Sequence, residues 1–276
     1  FPMTVNHDDL WSFEGKNVPI HWHNDLEINL IREGEAVFQV YQKSYRVRTG
    51  EGFLLNRNVP HSCSSPGNEH VRYSTILVRP DFLYGDFGSD VERKCFQPFL
   101  QNSAIPCIYL TGFDENGKEI LQKLNQVEEA FDRKRFCYEL KIKGLLCEAF
   151  AMILYGHRQE LTKFVPANLQ ELERLEKMLN YLNMHFTEVI SLQDLADQVH
   201  LSREVCCRLF KKMTGKTITG YLEEYRVNKS FSLVQSGQYS MTQITEMVGF
   251  SNPSRFASAF RKRFGCNPGE YNSVKH

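Results

Sequence analysis

The sequence predicts an α+β fold in two parts. A β-rich N-terminal barrel with helices appended is followed by an all-α C-terminal domain holding two helix-turn-helix units. Three observations predict it. Residues 190–271 contain one helical pattern twice. Residues 5 to about 80 are short apolar runs broken by turn residues. Two long stretches of helical spacing lie between these parts. The expected partition is a barrel over 1–112, a helical segment over 113–163, a linker over 164–170 and the double unit over 171–276.

The repeat is the strongest signal, because self-similarity at a fixed period marks architecture. One copy runs from Leu192 to Ser202 and continues Phe210-Lys-Lys-x-x-Gly215-x5-Tyr221. The other runs from Met241 to Ser251 and continues Phe260-Arg-Lys-x-x-Gly265-x5-Tyr271. The offset is 49 up to the serine and 50 after it, so one residue is inserted just past the turn. Each copy reads as a short helix, a turn (with Gly249 in the second) and a longer helix, which is a helix-turn-helix. Ser202 and Ser251 are the expected N-caps, since a serine oxygen accepts from the orphan amides of a first turn. Pro253 suits the first helical position, where a missing N–H costs nothing.

Each longer helix has an apolar stripe: Cys206, Leu209, Phe210 and Met213, then Phe256, Ala259, Phe260 and Phe264. The opposite faces carry Arg203, Glu204, Cys207, Arg208 and Lys211, then Ser254, Arg255, Ser258, Arg261 and Lys262. One such helix alone would be an ordinary solvated face. Two in tandem, both basic, fit successive major grooves of DNA, where Arg reads guanine edges and Lys meets phosphates. The nineteen residues Thr217–Gln235 between them form a helix roughly 28 Å long. That length spaces two recognition helices by about one DNA turn, roughly 34 Å. Arg208 and Arg255 are the expected base contacts, with Lys211, Arg261 and Lys262 near phosphate.

Gly-Phe-Ser251, Phe256, Phe260-Arg-Lys-Arg-Phe264-Gly265, Pro268 and Tyr271 together resemble the signature of the AraC/XylS transcription regulators. The resemblance covers roughly residues 170–274. It implies a promoter-binding regulator, most often an activator that works with RNA polymerase. Cys206, Cys207 and Ser230 depart from the usual residues of the pattern, the cysteines at positions that touch sequence preference.

Charge distribution agrees. Lys+Arg and Asp+Glu both number 33, yet residues 200–276 hold 12 Lys/Arg against 5 Asp/Glu. A basic domain on a neutral chain is the electrostatic footprint of nucleic-acid binding. The eight cysteines include no Cys-x-x-Cys pair and read as reduced thiols. There is no signal-peptide pattern and no apolar run near 18 residues, so a cytoplasmic protein with no membrane partner is expected.

In the N-terminal part, apolar runs at Leu26–Ile31, Ala36–Val40, Ser44–Val47, Gly52–Leu55 and Val71–Val78 are separated by Gly34, Gly50 and Asn58. Short strands at this spacing suggest a barrel or sandwich. Gly15-x5-His21-x-His23-x3-Glu27-x6-Gly34 resembles the first motif of the cupin barrels, while the second motif is only partly present around Gly50, Gly52, Pro60 and His61. Such sensing barrels are common at the N-terminus of the regulator family, which implies a small-molecule effector, most often a carbohydrate. His21, His23 and Glu27 are all odd-numbered, so one extended strand would present them on one side. With His61 they suit an organic ligand's hydroxyls, a metal, or a structural role. The degenerate second motif weighs against metal, so they are assigned to the effector. No metal, cofactor or catalytic residue is assigned. A metal-dependent enzyme is the rival reading, but no phosphate loop or nucleophile motif supports it. A barrel that only dimerises is a second rival.

Residues 114–135 and 137–158 read as helices, with Leu121, Leu124, Val127 and Phe131 on one face of the first. Ala149–Tyr155 is apolar nearly all round and needs cover on two sides. A homodimer through these helices is therefore expected. Pro166 marks the linker, and Leu172, Leu175, Met178, Leu179 and Leu182 form the first core stripe beyond it.

Overall fold

The computed structural model describes residues 1–67, 70–166 and 168–273. Ala167 of the expected linker and residues 274–276 of the expected C-terminal domain lie outside the described residues. Among the described residues, nine strands form two antiparallel sheets. They are β1 (Met3–Asp9), β2 (Asn17–His21), β3 (Leu26–Glu33), β4 (Glu35–Val40), β5 (Lys43–Arg48), β6 (Gly52–Leu55), β7 (His61–Ser64), β8 (Arg72–Val78) and β9 (Cys107–Leu110). The five-stranded sheet has the order β1-β8-β3-β6-β9, and the four-stranded sheet has the order β2-β7-β4-β5.

β3 explains the layering. Its even-numbered Leu26, Ile28 and Leu30 pack on the helices, while Ile31 joins Phe38, Phe53 and Val47 between the sheets. Both faces are covered, so the strand reads as an apolar run rather than an alternation. The exceptions are Glu27 and Asn29, which are buried and polar. The short helices α1 (Pro80–Tyr84) and α2 (Gln97–Leu100) and the long α3 (Glu115–Arg133) and α4 (Tyr138–Gly156) follow, and α5 (Arg158–Leu161) leads to the linker. α3 caps its first turn with Asp114, whose Oδ1 accepts from Gly117 N at 2.7 Å.

The apolar α4 is covered mainly within the chain. Ile142, Leu146, Ala149, Phe150, Ile153 and Leu154 are buried against the five-stranded sheet and α3. What stays open is a narrow stripe with Leu140 (72% exposed) and Tyr155 (70% exposed). Most of the cover that α4 needs thus comes from its own chain.

The C-terminal part comprises α6 (Leu169–Met184), α7 (Leu192–Gln198), α8 (Arg203–Thr214), α9 (Ile218–Ser236), α10 (Met241–Met247), α11 (Pro253–Phe264) and α12 (Pro268–Ser273). α6, α7 and α8 close one core, and α9–α12 close the other. In the second core the rings of Phe256, Phe260, Phe264 and Phe231 pack in succession, with Phe260–Phe264 centroids 4.6 Å apart. α9 serves both cores: Ile218 and Tyr221 belong to the first, Val227, Phe231 and Val234 to the second.

The capping expectation holds for the first copy and fails for the second. Ser202 Oγ accepts from Val205 N, but α11 is capped by Asn252, whose Oδ1 accepts from Arg255 N at 2.8 Å. Asn252 is the residue inserted between the copies. The longer connection carries Ser251 one position too early to reach the helix, and asparagine caps as well as serine.

Candidate functional site

α8 and α11 are each twelve residues long and end on a glycine in left-handed conformation, Gly215 and Gly265. Burial of Cys206, Leu209, Phe210 and Met213 turns Arg203, Glu204, Arg208 and Lys211 outward, with Cys207 at the edge. Burial of Phe256, Phe260 and Phe264 does the same for Ser254, Arg255, Ser258, Arg261 and Lys262. All ten residues expected from spacing therefore sit on, or at the edge of, the two outer faces. Two contacts could not be read from spacing. Arg255 is held by Glu223 of α9 at 3.2 Å, and Lys212, next to Lys211, is held by Glu171 of α6 at 2.7 Å. The turn between the helices is left-handed in both copies, at Gly249 (φ 76°) and at His200 (φ 52°).

The second site lies in the barrel. His21, His23, Glu27 and His61 do converge, with ligand atoms all within 4.8 Å of one another. They do not share the one strand that the odd numbering predicts. His21 ends β2 in one sheet, Glu27 lies on β3 in the other, and His23 sits in the loop between them. Closure of the two sheets brings them together, not alternation along one strand. His61 is the register partner of His21, and their rings are 4.2 Å apart.

Backbone carbonyls hold every ring in place. The Nδ1 of His21 lies 2.9 Å from Pro19 O, that of His23 3.0 Å from Asp25 O, and that of His61 2.8 Å from Val59 O. Pro19 is tolerated because β2 is an edge strand. The Nε2 atoms of His23 and His61 lie toward Glu27. His23 Nε2 is 2.7 Å from Glu27 Oε2, and Asn29 Nδ2 donates to Oε1 at 2.7 Å. His61 Nε2 is 3.2 Å from Oε2 but off line, and it is a buried atom with no hydrogen-bond partner. Burial and the neighbouring His61 push the His21 imidazole down to about 4. Burial works against charge on His23 too, but the Glu27 carboxylate outweighs it and raises the imidazole. Burial opposes the Glu27 charge, and the His23 and His61 rings still hold the carboxyl well below its ordinary range. Nothing in the sequence pointed to the three carbonyl anchors or to Asn29.

A cavity of about 680 Å³ lies elsewhere, between the β4–β5 hairpin, the segment 103–107, the linker and the first helix-turn-helix unit. Tyr41, Tyr45, Lys43, Cys107, Lys212 and Met213 are among its walls.

Two family models divide the chain between them. An AraC-like ligand binding domain matches residues 10–150, and a helix-turn-helix domain matches 195–273. The chain belongs to the AraC family of transcriptional regulators. The HTH-type transcriptional activator RhaR of Mannheimia succiniciproducens is 31% identical over 257 residues, covering 92% of this chain and 87% of its own. An uncharacterised HTH-type regulator of Bacillus subtilis, YdeC, is 28% identical over 258 residues, covering 93% and 87%. Among solved structures, ToxT of Vibrio cholerae with bound unsaturated fatty acid aligns over 98% of this chain and 94% of its own, at 17% identity and TM-score 0.43. This AraC-family chain is thus a DNA-binding regulator with a ligand-binding domain. Among the described residues, no helix is long and apolar enough to cross a membrane.

Proposed function

We propose that this AraC-family protein activates promoters in response to a small oxygen-rich molecule taken into its N-terminal barrel. A carbohydrate is the class the family resemblance suggests. The observation that carries the reading is the group of buried polar side chains, Glu27, Asn29 and His61, inside the barrel. Buried polar groups are costly unless partnered, and the His61 Nε2 that has no partner is a place for a ligand. His21, His23, Glu27 and His61 are the effector residues in this reading.

On DNA, Arg208 and Arg255 read base edges, with Arg203, Glu204, Cys207, Ser254 and Ser258 beside them. Lys211, Arg261 and Lys262 meet phosphates. Arg255 reaches its base by exchanging Glu223 for the guanine edge. The protein works in the cytoplasm as a homodimer through the Leu140–Tyr155 stripe of α4 and recruits RNA polymerase. Regulation is a bias between two arrangements of barrel and helix-turn-helix units, which requires the effector to bind one arrangement more tightly.

The test is thermal melting of the full chain against a panel of sugars. A ligand at 100 times its Kd adds about 2.7 kcal/mol, worth about 5 °C or more in a chain of this size. A shift with one sugar class that His23→Ala abolishes supports the assignment. A shift that survives both His23→Ala and Glu27→Ala places the effector elsewhere, and no shift with any sugar removes the carbohydrate reading.

A further inference from the structure

We infer that Arg226 of α9 is a positioning residue that locks the two helix-turn-helix units to each other, and so fixes the one separation of DNA boxes that the pair can read. This rests on the reading that α8 and α11 each contact bases. The two units have separate cores, one closed by α6, α7 and α8 and the other by α9–α12. α9 runs through both, but a helix of that length curves under its packing. It does not by itself hold the rotation of one unit against the other. That rotation matters on DNA, where each added base pair turns the groove by about 34°.

The lock acts on the loop between α6 and α7. The Arg226 guanidinium donates from Nε to Phe186 O at 2.5 Å and from Nη2 to Glu188 O at 2.7 Å. One planar fork on two carbonyls fixes the loop in direction as well as distance. Neighbouring residues of α9 add to the grip. The Tyr225 ring packs edge to face on Phe186, with centroids 5.4 Å apart, and Tyr221 OH donates to Asn183 Oδ1 at 2.9 Å near the end of α6. The same loop meets the second unit. Gly249, in the turn before α11, lies so close that a Cβ would sit 2.7 Å from Thr187 Cα and 2.8 Å from Phe186 O. Phe186 O is thus held by Arg226 and pressed by the turn of the other unit. Three residues back along α9, Glu223 holds Arg255 in the first turn of α11 at 3.2 Å. One stretch of α9 therefore grips a loop of the first unit and the reading helix of the second.

The full chain is titrated with a duplex that the wild-type protein selects from a random-sequence pool, and with the same duplex carrying one base pair inserted between its two boxes. The insertion should weaken wild-type binding at least about tenfold, because one box leaves the reach of its helix. Arg226→Ala should bind the selected duplex more weakly and lose less than about threefold to the insertion, since loosely joined units adapt to either spacing. Arg226→Lys keeps the charge but not the two-pronged donor, so its penalty should fall between the two. It carries the test if Arg226→Ala does not fold by circular dichroism. A residue that only supports the fold would lower both affinities alike, so the full wild-type penalty in a folded variant overturns the lock. An insertion that leaves the wild-type chain unaffected overturns the two-helix reading itself, and the lock with it.

Discussion

Gly249 makes the turn of the second helix-turn-helix unit possible in two ways. Its φ is +76°, and a Cβ there would lie 2.7 Å from the Thr187 backbone. Gly249→Ala should therefore destabilise the protein by about 1–3 kcal/mol, read as a lower urea midpoint. An unchanged midpoint would contradict the close approach. His200 holds the same left-handed turn in the first unit without glycine. Relief of that conformation predicts that His200→Gly is neutral or stabilising, by up to about 1 kcal/mol. On the recognition faces, Arg208→Ala should cost about 1–3 kcal/mol on a cognate promoter and relax specificity, while Lys262→Ala should weaken all sequences alike and lower the salt slope by about one. Equal losses on cognate and random duplex for Arg208→Ala would sink its assignment to a base. These side chains were legible because helical spacing puts apolar and basic residues on opposite faces. The Arg255–Glu223 pair was not, since it joins residues 32 positions apart on two helices.

At the scale of elements, the long helices were readable and several short strands were not. α3, α4 and α9 end within about two residues of where spacing puts them. β2, β7 and β9 have four or five residues each, too few for an alternation to register, and their positions are decided by pairing partners. β2 also contains Pro19 and a register shift between Val18 and His21. Its importance therefore comes from its place, at a sheet edge beneath the DNA-binding part, where Ile20 packs against the core of α6, α7 and α8. Residual exposure on α4 gives the element-scale prediction. Leu140→Glu with Tyr155→Glu should convert a dimer to monomer in sedimentation at tens of micromolar, with the melting midpoint little changed. A wild-type monomer at that concentration, or a dimer that survives both substitutions, removes α4 as the interface. In α11, Phe260→Ala opens a cavity in the aromatic core and should cost about 3–5 kcal/mol.

Across the whole molecule, the barrel touches both helix-turn-helix units. Arg263 of α11 donates to Gly15 O at 2.6 Å, and Gly15 approaches Asn228 of α9 so closely that a Cβ would lie 2.5 Å from its Oδ1. Lys16, 4% exposed, places its ammonium 3.5 Å over the Trp11 ring and 5.7 Å from that of Tyr271. Gly215 is equally tight against Tyr41 O of the barrel. Arg263→Ala removes the hydrogen bond to Gly15 and should loosen the second unit from the barrel. The expected readout is a larger radius of gyration in solution scattering with both units still folded by circular dichroism. An unchanged radius would mean that the Gly15 contact does not hold the parts together.

The chain order of the two parts, the doubled helix-turn-helix and the outward basic faces were determined by sequence alone, because each depends on periodicity and capping within a few tens of residues. So was the membership of the cluster His21, His23, Glu27 and His61, through its motif, although the strand argument offered for it does not hold. Tertiary structure alone decided how the cluster is built. Its members come from two sheets and a loop, its rings are oriented by carbonyls, and its edge strand backs onto the DNA-binding part. Those relations depend on sheet closure and domain docking, which join residues far apart in the chain and leave no local pattern to read.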